Sequence, residues 1–298
     1  MRPRLNPGAL TLALALLTTA VSAAPSSTPC DRECLRGLVT QYLNAMLIHS
    51  RGTLPLADHV RYTEDTVEMR LGESLLWRNA TQLRPYRLDI LDVQGGVAAS
   101  EAIVEEAGAP VMLVLRLKVT DGKISEVETQ VTRNKTEGSI FNPGALRSVT
   151  GAMMLFLDPA QRNTREDAVK IAKLYPAGLK AGSFVTVDTP FASDAYRLEN
   201  GQLMAGQGCT FRPDCVDIKS QKIPTLSGIA TRVAAVDEDL GIVLLRMDFG
   251  AGSSRVPGDS LVVWEAFKVY DGQIHAVEAF MKNMPLGTPS GWDSPGGN

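Results

Sequence analysis

Residues Lys118 to Asn134 read KVTDGKISEVETQVTRN, and Lys268 to Met284 read KVYDGQIHAVEAFMKNM. The two stretches align without a gap, Lys118 against Lys268 and Asn134 against Met284. Upstream, Pro55-Leu56-Ala57 and Arg61-Tyr62-Thr63-Glu64-Asp65 match Pro190-Phe191-Ala192 and Tyr196-Arg197-Leu198-Glu199-Asn200 at a smaller separation. A repeat of this size exceeds a solenoid unit and fits a duplicated domain of roughly 120 residues. The separation widens between the two matches, so the second copy carries an insertion of about 15 residues, in the stretch holding Cys209 and Cys215. Such an insertion is either a rim or lid over a site or an inert decorated loop.

Each copy has the signals of an α+β unit. Leu35 to Ile48 carries apolar residues at a helical period. Val111 to Val119 is β-rich, Asp121-Gly122 is a hairpin turn, and Ile124 to Thr132 is the partner strand. In the second copy Thr164 and Asp167 form a capping box, a helix runs to about Lys180, and the hairpin turns on Asp271-Gly272. The expected domains are 30–135 and 163–285, joined by a linker over 136–162 and followed by a disordered Gly-, Pro- and Ser-rich tail over 286–298.

The hairpin turns set a register. With Asp271-Gly272 as a two-residue loop, Tyr270 faces Gln273, and counting back along both strands puts Glu265 opposite Glu278. Their face is otherwise apolar: Val263, Phe267, Val269, Ile274, Ala276 and Phe280. Facing carboxylates repel, and apolar surroundings raise their pKa further, so the pair suggests a shared proton and general acid–base work. In the first hairpin the same count sets Leu115 opposite Glu128 and Leu117 opposite Glu126. A solvated face, a neutralising Arg or Lys, or a bulge that shifts the register would each dissolve the Glu265–Glu278 pair.

Glu64 and Glu199 each follow an aromatic–basic pair, Arg61-Tyr62 and Tyr196-Arg197. These six residues are candidates for holding a polar ligand, or for structural ion pairs between helix and sheet. His49 ends the first helix, where the dipole favours a cation, and as a base it would work with Glu64 or Glu128. His59 and His275 have no spaced partners, and there is no nucleophile elbow, phosphate-cradling loop or His-Cys zinc spacing. No cofactor or metal is expected.

The N-terminus is basic (MRPRLNPG), then apolar (ALTLALALLTTAV), then small at Val21-Ser22-Ala23, the pattern of a secretory signal peptide over 1–23. The mature chain is expected to be secreted or periplasmic, with no membrane partner. Net charge is −3 with both signs interspersed, which argues against nucleic acid as a partner. An even cysteine count in an exported chain favours disulfides; three pairings are possible, and the local ones, Cys30–Cys34 and Cys209–Cys215, are preferred.

A helix followed by a curved antiparallel sheet resembles the cone-shaped fold of the SnoaL-like, or nuclear transport factor two-like, superfamily. More closely, Arg61-Tyr62-Thr63-Glu64-Asp65, Asp121 to Glu128 (DGKISEVE) and Asn163-Thr164-Arg165-Glu166-Asp167 resemble signatures of an uncharacterised secreted family of fungi and bacteria. The resemblance implies two tandem cone-shaped α+β domains, each a helix packed on a curved antiparallel sheet. It also implies cofactor-free proton transfer in an apolar cavity, or an open sheet face used for homodimer formation. The helix-borne His-Asp pairing of the superfamily's dehydratases is not visible here. The functional expectation is a lyase or isomerase acting on a small organic or sugar-like substrate; the alternative is a non-catalytic small-molecule-binding or dimerisation module.

Overall fold

The protein is seen in a computed structural model that describes residues 30–226 and 228–292, so the expected signal peptide lies outside the described residues. The first copy runs α1 (Arg32–Leu47), β1 (Leu56–Glu64), β2 (Val67–Met69), α2 (Leu75–Asn79), β3 (Ala80–Asp92), β4 (Val97–Glu106), β5 (Ala109–Thr120) and β6 (Lys123–Thr132). Short helices α3 (Lys135–Gly138) and α4 (Gly151–Met154) lie in the connection. The second copy follows as α5 (Arg165–Ala181), α6 (Phe184–Val187), β7 (Phe191–Glu199), β8 (Gln202–Ala205), β9 (Ala230–Asp237), β10 (Ile242–Asp248), β11 (Asp259–Tyr270) and β12 (Gln273–Pro285).

The two six-stranded sheets have the same order, β2-β1-β6-β5-β4-β3 and β8-β7-β12-β11-β10-β9. The repeat holds down to single residues. Tyr62 pairs with Val127 in the parallel β1–β6 ladder, and Arg197 pairs with Val277 in the parallel β7–β12 ladder. The helices start on the caps that the sequence offers: Asp31 accepts from the Cys34 amide, and Thr164 from the Asp167 amide. Both disulfides are local, Cys30–Cys34 and Cys209–Cys215.

Each sheet covers its helix with one face. In the first half Leu35, Val39, Tyr42 and Met46 of α1 pack with Leu113, Leu115, Leu117 and Val127. In the second, Ala168, Ala172, Tyr175 and Leu179 of α5 pack with Leu245, Val263, Phe267 and Val277. Both halves are therefore cone-shaped α+β units in tandem.

The other faces of the two sheets pack on each other. Tyr86, Leu88, Ile90, Ile103 and Val114 of the first half share a core with Leu244, Trp264, Ala266 and Phe280 of the second, with Leu146 and Met153 from the connection. The face that the sequence offers to a second copy of the chain is thus covered within one chain.

Two reciprocal clamps close this seam. Asp237 receives Arg32 from the start of α1 at 2.6 and 2.8 Å and the Leu91 amide at 2.9 Å. Asp92 receives Arg165 from the start of α5 at 2.5 and 2.9 Å and the Val236 amide at 2.9 Å. Each half's helix start therefore grips the other half's buried aspartate.

The structure corrects the hairpin register. The turns are as expected, with positive φ at Asp121 and Gly122 and again at Asp271 and Gly272, so Tyr270 does face Gln273. One step later each hairpin bulges: Lys268 pairs with Ala276 and Val269 with Ile274, leaving His275 over, as Ser125 is left over in the first hairpin. The extra residue moves every later partner by one. Glu265 faces Ala279 and Glu278 faces Ala266; in the first hairpin Glu128 faces Arg116 and Glu126 faces Lys118.

The tail also departs from expectation. Trp292 is buried, donates its indole N–H to Thr63 at 2.8 Å and lies under Arg61 at 4.2 Å. Residues 293–298 lie outside the described residues.

Candidate functional site

Inside the second cone four elements bring polar side chains to one buried place. Helix α5 supplies Tyr175, strand β7 Arg197 and Glu199, strand β11 Glu265, and the insertion after β8 Gln221. The Arg197 guanidinium donates to Gln221 Oε1 at 2.8 Å and to the Tyr175 hydroxyl at 3.3 Å, and pairs with Glu199 at 2.8 Å. The Tyr175 hydroxyl in turn bonds Glu265. Gln221 is anchored by donating to the Met204 carbonyl at 2.9 Å. Tyr175 is held by rings on three sides, Phe184, Phe191 and Phe267.

Burial first, and the Glu199 charge second, push the Glu265 carboxyl from an ordinary 4.5 up to about 8, against the opposing pull of Arg197 and the Tyr175 bond. Burial also raises the Tyr175 hydroxyl well above its usual range. Desolvation works against the Arg197 charge, but Tyr175, Glu199 and Glu265 more than offset it, so the guanidinium stays protonated. The result is a neutral acid beside a fixed cation and a hydroxyl, in an interior of low dielectric.

The first cone lacks this arrangement. Tyr42 stands where the second has Tyr175, Tyr62 where it has Arg197, Glu64 where it has Glu199, and Leu115 where it has Glu265. There the Tyr62 hydroxyl donates to Glu64 at 3.3 Å and Arg133 closes the group at 2.9 Å from Glu64. Three exchanges separate the copies: Arg197 for Tyr62, Glu265 for Leu115 and Asn283 for Arg133.

A surface cleft of ≈ 440 Å³ lies beside the second cone, lined by Val185, Phe191, Ala192 and Ser193 and by Asp217, Lys219 and Ser220 of the insertion. Phe191 forms its inner wall and packs edge-on against Tyr175. The insertion also contributes Ile218 to the core. It therefore forms the rim of the second cone rather than a detached loop.

The other candidates lie elsewhere. Glu278 is on the seam face, where it accepts from Thr150 at 2.7 Å, Tyr196 at 2.7 Å and Tyr86 at 3.1 Å. Glu128 is on the same face, 2.6 Å from Arg232. Neither lies on Glu265's side of its sheet, because the bulges turn alternate residues of β6 and β12 to the opposite side from the one a uniform count gives. His49 meets neither Glu64 nor Glu128; its Nδ1 lies 2.6 Å from the Trp77 carbonyl, in a shallow cleft of ≈ 280 Å³ with Arg51, Arg70 and Glu73. Arg61 is at the surface, paired with Glu68 at 2.9 Å.

Sequence reasoning missed Tyr175, Gln221, Glu101 and Arg246. Tyr175 was recoverable, since aligning the two helix starts sets it against Tyr42. Gln221 sits in the insertion and has no counterpart. Glu101 is fully buried on the seam face, and its two carboxyl oxygens have no hydrogen-bond partner among the described residues. Burial, followed by the Glu278 and Glu265 charges, raises its pKa well above the usual carboxyl range. Among the described residues no three His, Cys, Asp or Glu side chains gather as a metal site, and no helix is long and apolar enough to cross a membrane.

A family model for a domain of unknown function, DUF8021, matches residues 161–281, which is the second copy. A search of curated proteins found no match. Three solved structures are similar to part of the chain. A candidate ketosteroid isomerase from Kribbella flavida DSM 17836 is 20% identical over 34% of this chain and 80% of its own, with a TM-score of 0.26. An NTF2-like protein of unknown function from Shewanella baltica OS155 is 15% identical over 40% of this chain and 93% of its own, with a TM-score of 0.26. A de novo designed NTF2-fold protein is 17% identical over 35% and 89%, with a TM-score of 0.24.

Proposed function

We propose that the second cone is the working site of a cofactor-independent lyase or isomerase, moving a proton next to an electron-withdrawing group of a small organic or sugar-like substrate. Glu265 is the acid–base group. Tyr175 and Arg197 supply the hydrogen bond and positive charge that would stabilise an enolate-like oxygen as it forms. The observation that carries this reading is the paired exchange of Leu115 and Tyr62 in the first copy for Glu265 and Arg197 in the second. A carboxyl in that position costs stability that leucine does not, so its presence points to chemistry. A pKa of about 8 suits an acid that must give and take a proton near neutral pH. Substrate would enter from the cleft at Phe191 by displacement of the insertion that holds Gln221. Glu278, on the far side of the sheet, has no part in this mechanism.

The test is proton NMR in D2O, following exchange of carbon-bound hydrogens in a panel of small ketones, hydroxy acids and sugars. Exchange catalysed by the wild type should be lost in Glu265→Gln and kept in Glu278→Gln. Exchange untouched by Glu265→Gln would sink the assignment. A second reading, a non-catalytic binding module, is favoured by the partners that already surround Arg197, namely Tyr175, Gln221 and Glu199. On that reading Glu265→Gln alters ligand affinity in a panel that shows no exchange at all.

A further inference from the structure

The seam between the halves contains a second polar centre, on the opposite side of the sheets from Glu265. Glu128 projects from β6 into a group of three guanidiniums: Arg232 of β9 at 2.6 Å, Arg116 of β5 at 3.8 Å and Arg246 of β10 at 3.9 Å. Two further acids belong to the group, Glu126 paired with Arg116 at 2.9 Å and Asp248 paired with Arg246 at 2.6 Å. Trp264 completes it: it is the ladder partner of Arg246, and Arg232 lies over its ring at 5.5 Å.

After these pairs are drawn, four donors and one acceptor, Glu128 Oε2, remain among the described residues. Arg246 Nη2, Trp264 Nε1, Arg232 Nε and Arg116 Nε are buried and have no acceptor among the described residues. Arg246 and Trp264 are each 1% exposed. An unmet buried N–H group forfeits its hydration without return, and a charged one forfeits more. Flat guanidinium edges beside an indole N–H suit an acceptor with two coplanar oxygens.

The equivalent place in the other orientation shows that such donors are not a by-product of the fold. There Glu278 stands for Glu128, Glu101 for Arg246, Val114 for Trp264 and Ala266 for Arg116, and the Glu278 carboxylate is met by three hydroxyl donors. The donor-rich version exists on one side only. Its charges are three arginines against Glu126, Asp248 and Glu128, and burial pushes the Glu128 carboxyl towards its neutral form despite Arg232, Arg116 and Arg246. Arg232 keeps about a fifth of its side-chain surface exposed, so the group reaches solvent at the seam.

We propose that Arg116, Arg232, Arg246 and Trp264 form a binding site for a small monocarboxylate at the junction of the two halves. The experiment uses the full mature chain, with sodium acetate as probe, sodium phosphate as a tetrahedral comparison and sodium chloride at matched ionic strength. Isothermal titration calorimetry and thermal melting should show saturable acetate binding that chloride does not reproduce. Trp264→Phe removes one N–H and keeps the ring, and should weaken acetate binding at least tenfold; Arg232→Gln should do the same. Arg246→Met removes the guanidinium that pairs with Asp248 at 2.6 Å from a fully buried place and is unsuitable, because it threatens the fold, whereas Arg232→Gln keeps a donor for Glu128. No saturable binding would overturn the proposal. So would acetate binding unchanged in both variants, and phosphate binding without acetate binding would overturn the carboxylate assignment.

Discussion

Glu265 and Arg197 make physical sense only together. A lone glutamate in the place of Leu115 would bury an unmatched carboxylate, and the arginine in the place of Tyr62 supplies the cation that meets it beside Glu199. As a group with Glu199 they leave one proton to be shared, and burial assigns it to Glu265. Arg197→Met should therefore be costly, since it removes the guanidinium at the centre of this group and leaves Glu199 and Glu265 facing each other. We expect a loss of about 3–5 kcal/mol at neutral pH, the scale for breaking a buried pair, read from urea unfolding. Glu265 was legible in the sequence as a costly carboxyl on an apolar strand face. Its partners were not, because Tyr175 and Gln221 come from a helix and an insertion that no strand pattern relates to β11.

At the scale of elements, the hairpin turns were legible and the bulges were not. Asp-Gly demands positive φ at two successive positions, a local requirement that sequence states directly. The bulges at Ser125 and His275 leave the apolar alternation readable in either register, so only the ladder itself shows which face each glutamate takes. The packing of α5 on α6 yields a sharper prediction. Gly178 lies within α5, and a Cβ there would collide with the Phe184 ring. Gly→Ala within a helix ordinarily gains about 1 kcal/mol, whereas forcing a methyl into packed rings costs about 1–3 kcal/mol. Gly178→Ala should therefore lower the unfolding midpoint, and a rise would show that α6 moves aside freely.

The whole molecule is a duplicated unit folded back on itself, and its sheets meet where separate subunits could have met. The duplication was legible from two gapless matches. The seam was not, because the clamps Arg32–Asp237 and Arg165–Asp92 join residues with no local relation. Asp237→Asn should cost about 3 kcal/mol in urea unfolding, since it weakens the hold on Arg32 and on the Leu91 amide at once. Asp92→Asn should cost a similar amount, and the double variant less than the total of the two, because the clamps bind neighbouring backbone and loosen one seam.

The first cone holds Leu115 where the second holds the buried acid Glu265. The measurement that tests this claim most directly is the difference in unfolding free energy between the wild type and Glu265→Gln from pH 5 to pH 9. The Glu265 carboxyl, ordinarily near 4.5, sits at about 8 in the folded chain, so between those values the folded protein holds a proton that the unfolded chain has released. Wild-type stability should then fall relative to the variant by about 1.4 kcal/mol per pH unit as pH rises through that window, and level off above it. A difference that stays flat from pH 5 to pH 9 would contradict the account, for it would mean that Glu265 ionises as an ordinary carboxylate and the second cone holds no such acid.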